Sequence, residues 1–241
     1  MSKKHKILLI IPAYNEEENI LNTYQTIIDY NKKHKTEYDV VVINDGSKDS
    51  TGEICKKNKI PTVNLVHNLG IGGAVQTGYK YAYDHDYDIA VQFDGDGQHN
   101  VNYVKDIIRP IINDTADFVI GSRFIEKDNS NFQSTFARRI GINIISFFMK
   151  IISKKKIYDT TSGFRACNKK IIAEFAKNYP IEYPEPITTV ELIKKGYTLN
   201  EVPVKMNERE GGSSSIHSWK QAYYMINVIF SILIIGLRRY K

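Results

Sequence analysis

The sequence predicts an α/β fold built on a mostly parallel sheet with helices on both faces. Short apolar runs rich in β-branched residues alternate with helical patterns through the first half of the chain, the pattern of βα units. The most distinctive polar turns each follow one of the predicted strands, at the rim where ligands bind in such sheets. With 241 residues, 42% of them hydrophobic, the chain is long enough to bury one sizeable core.

Strands are expected over 6–11, 38–43, 62–66, 89–93 and 117–121, each short and apolar. Helices are expected over 17–33, 50–58, 71–86 and 101–112, with Asp49 or Ser50 suited to cap the second. Beyond about residue 130 the pattern changes. Phe132, Phe136, Ile140, Ile144, Phe147, Phe148 and Ile151 recur at helical spacing with Arg138, Arg139 and Lys150 between them, an amphipathic helix over about 132–153 with a basic edge. It is open to two readings, a core-facing helix or one lying on lipid or a partner. A further strand is expected over 199–206 and a last helix from about Trp219. The division that follows is a catalytic domain over 1–215 and an apolar C-terminal helix over 216–241.

Composition narrows the functional classes. Lysines and arginines exceed acids by a net +6, and the basic clusters at 3–6, 138–139, 154–156 and 238–241 mostly border apolar segments, which points to an anionic membrane surface more than to nucleic acid. Cys55 and Cys167 form no CxxC pair, so neither a disulfide framework nor a zinc site is expected, and a reducing cytosol fits. The apolar run 7–11 is short for a signal peptide and runs into Pro12, and no stretch reaches the ~20 apolar residues that span a bilayer. Walker A, GxSxG and HExxH motifs are absent.

The richest turn is Asp94-Gly95-Asp96-Gly97-Gln98, directly behind the fourth strand. On an irregular turn two carboxylates two residues apart can lean toward one hard cation, and Gly95 leaves room for a ligand, an arrangement suited to a nucleotide diphosphate held through a metal. A plain surface turn is the competing reading. Oxygen ligands favour Mg²⁺ or Mn²⁺ over zinc. His99 adjoins the turn as a ligand or as a support behind it. Pro12-Ala13-Tyr14-Asn15-Glu16 follows the first strand and Asn44-Asp45-Gly46-Ser47 the second, so three turns converge on one rim, where Asp45 is placed to accept hydrogen bonds from a base or ribose.

The small-residue segment 68–74 follows the third strand rather than the first and has Val75 in place of the last small residue of GxGxxG, which excludes a dinucleotide fingerprint. Its glycines serve either a close approach to sugar or phosphate or tight helix packing. Arg123, Arg165 and Arg209 are candidates for holding phosphoryl groups, and Arg165 has Asp159 as an alternative partner.

As an ordered set these stretches, with Gly121-Ser122-Arg123, Ser162-Gly163-Phe164-Arg165 and Glu201-Val202-Pro203-Val204, resemble the family 2 glycosyltransferases. The resemblance covers about residues 7–215 and is closest to the dolichyl- or polyprenyl-phosphate hexosyltransferase branch. It implies a Rossmann-like GT-A fold and an inverting transfer of a hexose from a UDP-, GDP- or dTDP-linked donor. Pro12, Tyr14, Glu16, Ile43 and Asp45 would embrace the nucleoside, with Gly72 and Gly95 near the donor, while Asp94, Asp96 and Gln98 hold the metal. Arg123 and Arg209 would face donor phosphates or acceptor, and Arg165 with Ser162 the acceptor.

The acceptor it implies is polyprenyl phosphate, at the cytoplasmic face of the membrane. The chain departs from the family at Ser215, which stands where a lysine is expected, and Glu185 lies where hydroxyl-using relatives carry a catalytic acid. A hydroxyl of a cell-surface polysaccharide with Glu185 as base is therefore the alternative acceptor chemistry. A non-catalytic nucleotide-sugar-binding or scaffold subunit is a third reading. The terminal helix is expected to lie in the interface, pack on a small membrane subunit, or join a homo-oligomer.

Overall fold

A computed structural model describes residues 4–125, 146, 150, 156–207 and 218–238, with the side chains of 218–226 excepted. The expected helix over 132–153, apart from positions 146 and 150, and the residues Arg209 and Ser215 lie outside the described residues.

Seven strands form one sheet: β1 (Ile7–Ala13), β2 (Tyr38–Asn44), β3 (Thr62–Asn64), β4 (Ile89–Gln92), β5 (Phe118–Ser122), β6 (Arg165–Asn168) and β7 (Leu199–Pro203), in the order β3-β2-β1-β4-β6-β5-β7. All pairings are parallel except those of β6, which runs antiparallel between β4 and β5. The helices are α1 (Ile20–His34), α2 (Thr51–Lys57), α3 (Gly70–Asp84), α4 (Val104–Ile112, after a 3-10 turn at Val101–Tyr103), α5 (Lys169–Lys177), α6 (Pro184–Lys194) and α7 (Ser218–Leu237). The expected GT-A-like architecture is thus observed.

Residue parity along the strands explains the layers. Leu8 and Ile10 of β1 join a core cluster with Tyr79 of α3, Phe175 of α5 and Val190 of α6, while Ile7, Leu9 and Ile11 join a second with Ile20 and Ile27 of α1 and Ile107 of α4. Successive side chains point to opposite faces, so a strand covered on both sides must be apolar throughout, as β1 is. Pro12 sits inside this central strand because pairing with β4 ends at Ile10↔Gln92, so its missing donor falls where no neighbouring strand stands.

The expected strands and first four helices are found within a few residues of their positions; β3 stops at Asn64, whose carboxamide oxygen accepts from Asn44 Nδ2 at 2.8 Å. Three elements escaped the sequence reading. β6 begins at Arg165, within what reads as a polar turn. Asn168 then caps α5, accepting from the N–H groups of Lys170 and Ile171, a cap followed by Ile171, Ile172 and Phe175 that was available as a signal. The Tyr183-Pro184-Glu185-Pro186 stretch, with two prolines close together, opens α6. Both prolines occupy the first turn of α6, where backbone N–H groups have no helical partner to lose.

The last helix shares the core. Val228, Ile232 and Ile235 of α7 are buried in the same cluster as α3 and α5, and Lys194 Nζ of α6 donates to the Gly236 carbonyl. Phe230, Leu233, Ile234 and Leu237 remain exposed on its other side.

Gly78 lets α3 lie on the sheet, since a Cβ there would stand 2.1 Å from Ile10 Cγ2. Overpacking of this kind costs about 1–3 kcal/mol, more than the ~1 kcal/mol that alanine gains over glycine in a helix. Gly78→Ala is therefore expected to lower the urea midpoint at unchanged m-value, and Ile10→Ala to relieve part of that loss in the double variant.

Candidate active site

Because β1, β2 and β4 run parallel, their carboxyl ends deliver three loops to one rim. The loops interlock. Asn15, held at a left-handed φ of 56°, accepts from Lys48 N through Oδ1 at 2.8 Å and donates its own N–H to Ser47 Oγ at 3.0 Å, while Glu16 N donates to Thr51 Oγ1 at 2.9 Å. Asp45 is buried and accepts from Leu69 N at 2.7 Å, which ties the β2 loop to the start of α3. Burial raises its pKa above the usual carboxylate range, with the Leu69 and Gly70 N–H groups opposing.

The acidic turn is pressed against the end of β1. A Cβ on Gly95 would stand 3.3 Å from the Pro12 carbonyl oxygen, and Thr23 Oγ1 of α1 donates to the Gly95 carbonyl at 3.1 Å. From the far side, Asn207 donates its N–H to the Gln98 carbonyl at 2.9 Å and its Nδ2 to the Gly97 carbonyl at 3.2 Å. Gly97 takes a φ of 77°, a conformation that favours glycine.

His99 supports the turn from behind. Its ring is stacked on Phe164 with centroids 4.6 Å apart and meets Phe93 edge-on. Nδ1 accepts the Asp94 N–H at 2.8 Å and Nε2 lies 3.2 Å from Asp94 Oδ2, so a neutral ring protonated at Nε2 satisfies both contacts. Burial pushes its pKa down to about 3, with Asp96 opposing and Arg123 adding to the shift. Of the two roles open to it, the support role is the one this geometry fits.

These loops enclose a groove of about 620 Å³. Of the residues assigned to the nucleoside and donor, Pro12, Tyr14, Glu16, Asp45, Asp94, Gly95 and Asp96 line it, and so does Glu185 from the first turn of α6. Asn68, Gly70, Ile71 and Ala74 line it from α3 and its lead-in, so the 68–74 segment does approach the site. Gln92, Thr161 and Gly163 complete the floor and were not singled out from sequence. Burial raises the pKa of Glu185, opposed by Arg165 and reinforced by Asp94.

Other assigned residues stand outside the lining. Ile43 is fully buried in the core. Gly72 is a packing glycine, since a Cβ there would stand 2.3 Å from the Ile181 carbonyl oxygen. Gln98 donates its backbone N–H to Asp96 Oδ1 at 3.1 Å, steadying the carboxylate from outside the groove.

Arg123 is buried in a bidentate pair with Asp159, at 2.7 Å from Nε and 2.8 Å from Nη2, and also donates to Thr161 Oγ1. Asp159 thus pairs with Arg123 and not with Arg165, and Glu201 accepts the N–H groups of Tyr158 and Asp159 behind it. Arg165, at 1% exposure, donates Nε to the Ser162 carbonyl at 2.6 Å and Nη1 to the Glu185 carbonyl at 2.8 Å. Ser162 donates to the Gly121 carbonyl at 2.6 Å. These side chains build the walls around Thr161 and Gly163, because antiparallel β6 turns Arg165 inward toward α6.

Among the described residues the groove lining contains carboxylates and no lysine, arginine or histidine. No cluster of three or more His, Cys, Asp or Glu side chains suited to a metal occurs among them either. Asp94 and Asp96 supply hard oxygen donors on one turn, which fits a cation that completes its shell with phosphate oxygens and water.

A family model described as Glycosyl transferase family 2 matches residues 8–175. The UDP-N-acetylglucosamine--dolichyl-phosphate N-acetylglucosaminyltransferase of Methanococcus voltae is 34% identical over 220 residues, covering 83% of this chain and 84% of that protein. The undecaprenyl-phosphate mannosyltransferase of Micrococcus luteus is 28% identical over 234 residues, 92% of each chain. Glucosyl-3-phosphoglycerate synthase of Mycobacterium tuberculosis, crystallised with Mn²⁺, UDP and phosphoglyceric acid, superposes with a TM-score of 0.73 over 98% of this chain and 80% of its own, at 14% identity. That last likeness is one of fold.

Removing one partner of a buried ion pair strands the other charge, at a cost of about 3–5 kcal/mol. Asp159→Ala is expected to lose that much stability in urea unfolding, and the Arg123→Ala/Asp159→Ala double variant to lose clearly less than the sum of the two single changes.

Proposed function

The chain belongs to glycosyl transferase family 2 and is a glycosyltransferase, and from that premise we propose that it moves a hexose from a nucleotide sugar to polyprenyl phosphate at a membrane surface. The observation that carries this reading is the convergence of Glu16, Asp45, Asp94 and Asp96 on one groove from the three loops that follow β1, β2 and β4. The acceptor is supported by the names of the dolichyl- and undecaprenyl-phosphate transferases it resembles. A nucleotide-sugar donor is supported by the Methanococcus enzyme's name and by the UDP held by the Mycobacterium fold relative.

Tyr14, 42% exposed at the groove lip, and Asp45 at its base are placed to take the nucleoside, with Pro12 and Glu16 between them. Asp94 and Asp96 then hold the diphosphate end. A donor that is itself an anion is repelled by a groove walled with carboxylates, so uptake requires a countercharge. Asp94 and Asp96 would hold Mg²⁺ or Mn²⁺ there, and such an ion would supply the countercharge and Lewis-acid stabilisation of the leaving nucleoside diphosphate. The Mn²⁺ in the fold relative supports a divalent ion.

The chain's own contribution is alignment. His99 and Gln98 orient the two carboxylates, and the packed floor aims the anomeric carbon at the incoming oxygen for in-line displacement with inversion. A phosphate acceptor is ionised near neutral pH and needs no strong base.

Membrane association is supported by α7, whose exposed Phe230, Leu233, Ile234 and Leu237 recur at one-face helical spacing and lead into Arg238. No helix among the described residues is long and apolar enough to cross a membrane, and under this reading α7 lies in the interface through its exposed face. The position of Glu185 at the groove wall favours a second reading, in which it deprotonates a hydroxyl acceptor.

With Mn²⁺, the preferred member of a panel of UDP-, GDP- and dTDP-sugars is expected to raise the melting temperature in proportion to log concentration, and EDTA to abolish the shift. Asp96→Ala should keep the fold and lose roughly 100-fold or more in turnover; unchanged turnover refutes the metal role. Transfer to polyprenyl phosphate that survives Glu185→Gln supports the ionised acceptor, whereas transfer to a polysaccharide hydroxyl that Glu185→Gln abolishes supports the second reading.

A further inference from the structure

An unmet pair of polar atoms lies at the groove floor, one on Gln92, which lines the groove, and one on Arg165, its partner across the strands. Antiparallel pairing of β4 with β6 sets Gln92 directly opposite Arg165, so the two side chains leave the sheet on the same face. Each residue is only 1% exposed. Even so, Gln92 Oε1 and Arg165 Nη2 have no hydrogen-bond partner among the described residues. Polar atoms buried this deeply are nearly always paired, and an exception calls for a reason.

The rest of the Arg165 guanidinium is committed. Nε is bound to the Ser162 carbonyl, and Nη1 to the Glu185 carbonyl and to Thr188 Oγ1 at 3.1 Å, which fixes the plane and leaves Nη2 over. Gln92 lines the groove together with Asp94 and Glu185. Across from it Gly163 keeps the space open. A Cβ there would stand 3.2 Å from Gln92 Nε2 and 3.3 Å from both carboxylate oxygens of Asp94.

A spare acceptor and a spare donor on facing side chains are matched by a group that donates and accepts through a single atom, as an alcohol does and as water does in its absence. We propose that Gln92, backed by Arg165, is a specificity-determining residue that reads one ring hydroxyl of the donor sugar, so that the floor between β4, β6 and the start of α6 is the sugar subsite. This rests on the groove being the donor site. A floor that hydrogen-bonds a hydroxyl also rejects sugars that lack it there, because its own polar atoms are then left unpaired.

The test separates sugar from nucleotide. Wild-type and Gln92→Met proteins are titrated calorimetrically in Mn²⁺ with UDP, UDP-glucose, UDP-galactose and UDP-N-acetylglucosamine, and in parallel with GDP and GDP-mannose. Gln92→Met should bind the bare nucleoside diphosphate within about twofold of wild type, bind the preferred conjugate about 5- to 10-fold more weakly, and discriminate less between sugar epimers. Unchanged conjugate affinity and unchanged preference in the variant overturn the proposal, leaving a pair that is merely hydrated.

Wild-type protein that takes up none of UDP, GDP and, in the same titration, dTDP overturns the donor-site reading itself, and this inference with it. Should Gln92→Met fail to fold, wild type titrated with monodeoxy analogues of its preferred conjugate carries the same decision. One deoxy position is expected to lose about 5- to 10-fold, and equal affinity for all of them overturns the assignment.

Discussion

The site depends on holding two carboxylates in place on one turn at the end of β4. The fold does this through the backbone. The Asp94 N–H is taken by a neutral imidazole wedged between Phe93 and Phe164, the Gly95 carbonyl by Thr23, and the Gly97 and Gln98 carbonyls by Asn207. A lysine or arginine at the same place would have steadied the turn by consuming its charge. Hydrogen bonds to main-chain atoms carry most of this support, and the two donors described at the carboxylates of Asp94 and Asp96, His99 Nε2 and the Gln98 N–H, are neutral.

The arginines follow the same logic in reverse. Arg123 and Arg165 lie within reach of the groove walls, yet each is turned inward, one onto Asp159 and the other onto main-chain carbonyls of Ser162 and Glu185. Their fixed, multidentate forks brace the segment 158–165, and through it Thr161 and Gly163 at the groove floor. Among the described residues the groove lining is left acidic, with no lysine, arginine or histidine.

The reversed strand β6 links these two features. By running against β4 it brings Arg165 opposite Gln92 and carries the chain on into α5, and the chain then returns at α6 to set Glu185 at the groove wall. One antiparallel strand in a sheet whose other described pairings are parallel therefore joins the loops after β1, β2 and β4 to the part of the groove lined by the lead-in to β6 and the start of α6.

What the sequence by itself determined was the class of fold, the first strands and helices, and the acidic rim. Alternating apolar periodicity and Asp-Gly or Asn-Asp turns are written by near neighbours in the chain, so Asp45, Asp94 and Asp96 could be placed before any coordinates. Only the tertiary structure decided which arginine meets Asp159, that Gly72 packs against Pro180 and Ile181 instead of a ligand, and that Gln92 belongs to the groove floor. β6 was hidden because four residues straddling a polar turn carry too little periodicity, and α6 because two prolines read as a break when they form a first helical turn. Those outcomes were invisible for one reason: they are partnerships between residues tens of positions apart, chosen by which side chains the packed sheet turns toward each other, and no local pattern records that choice.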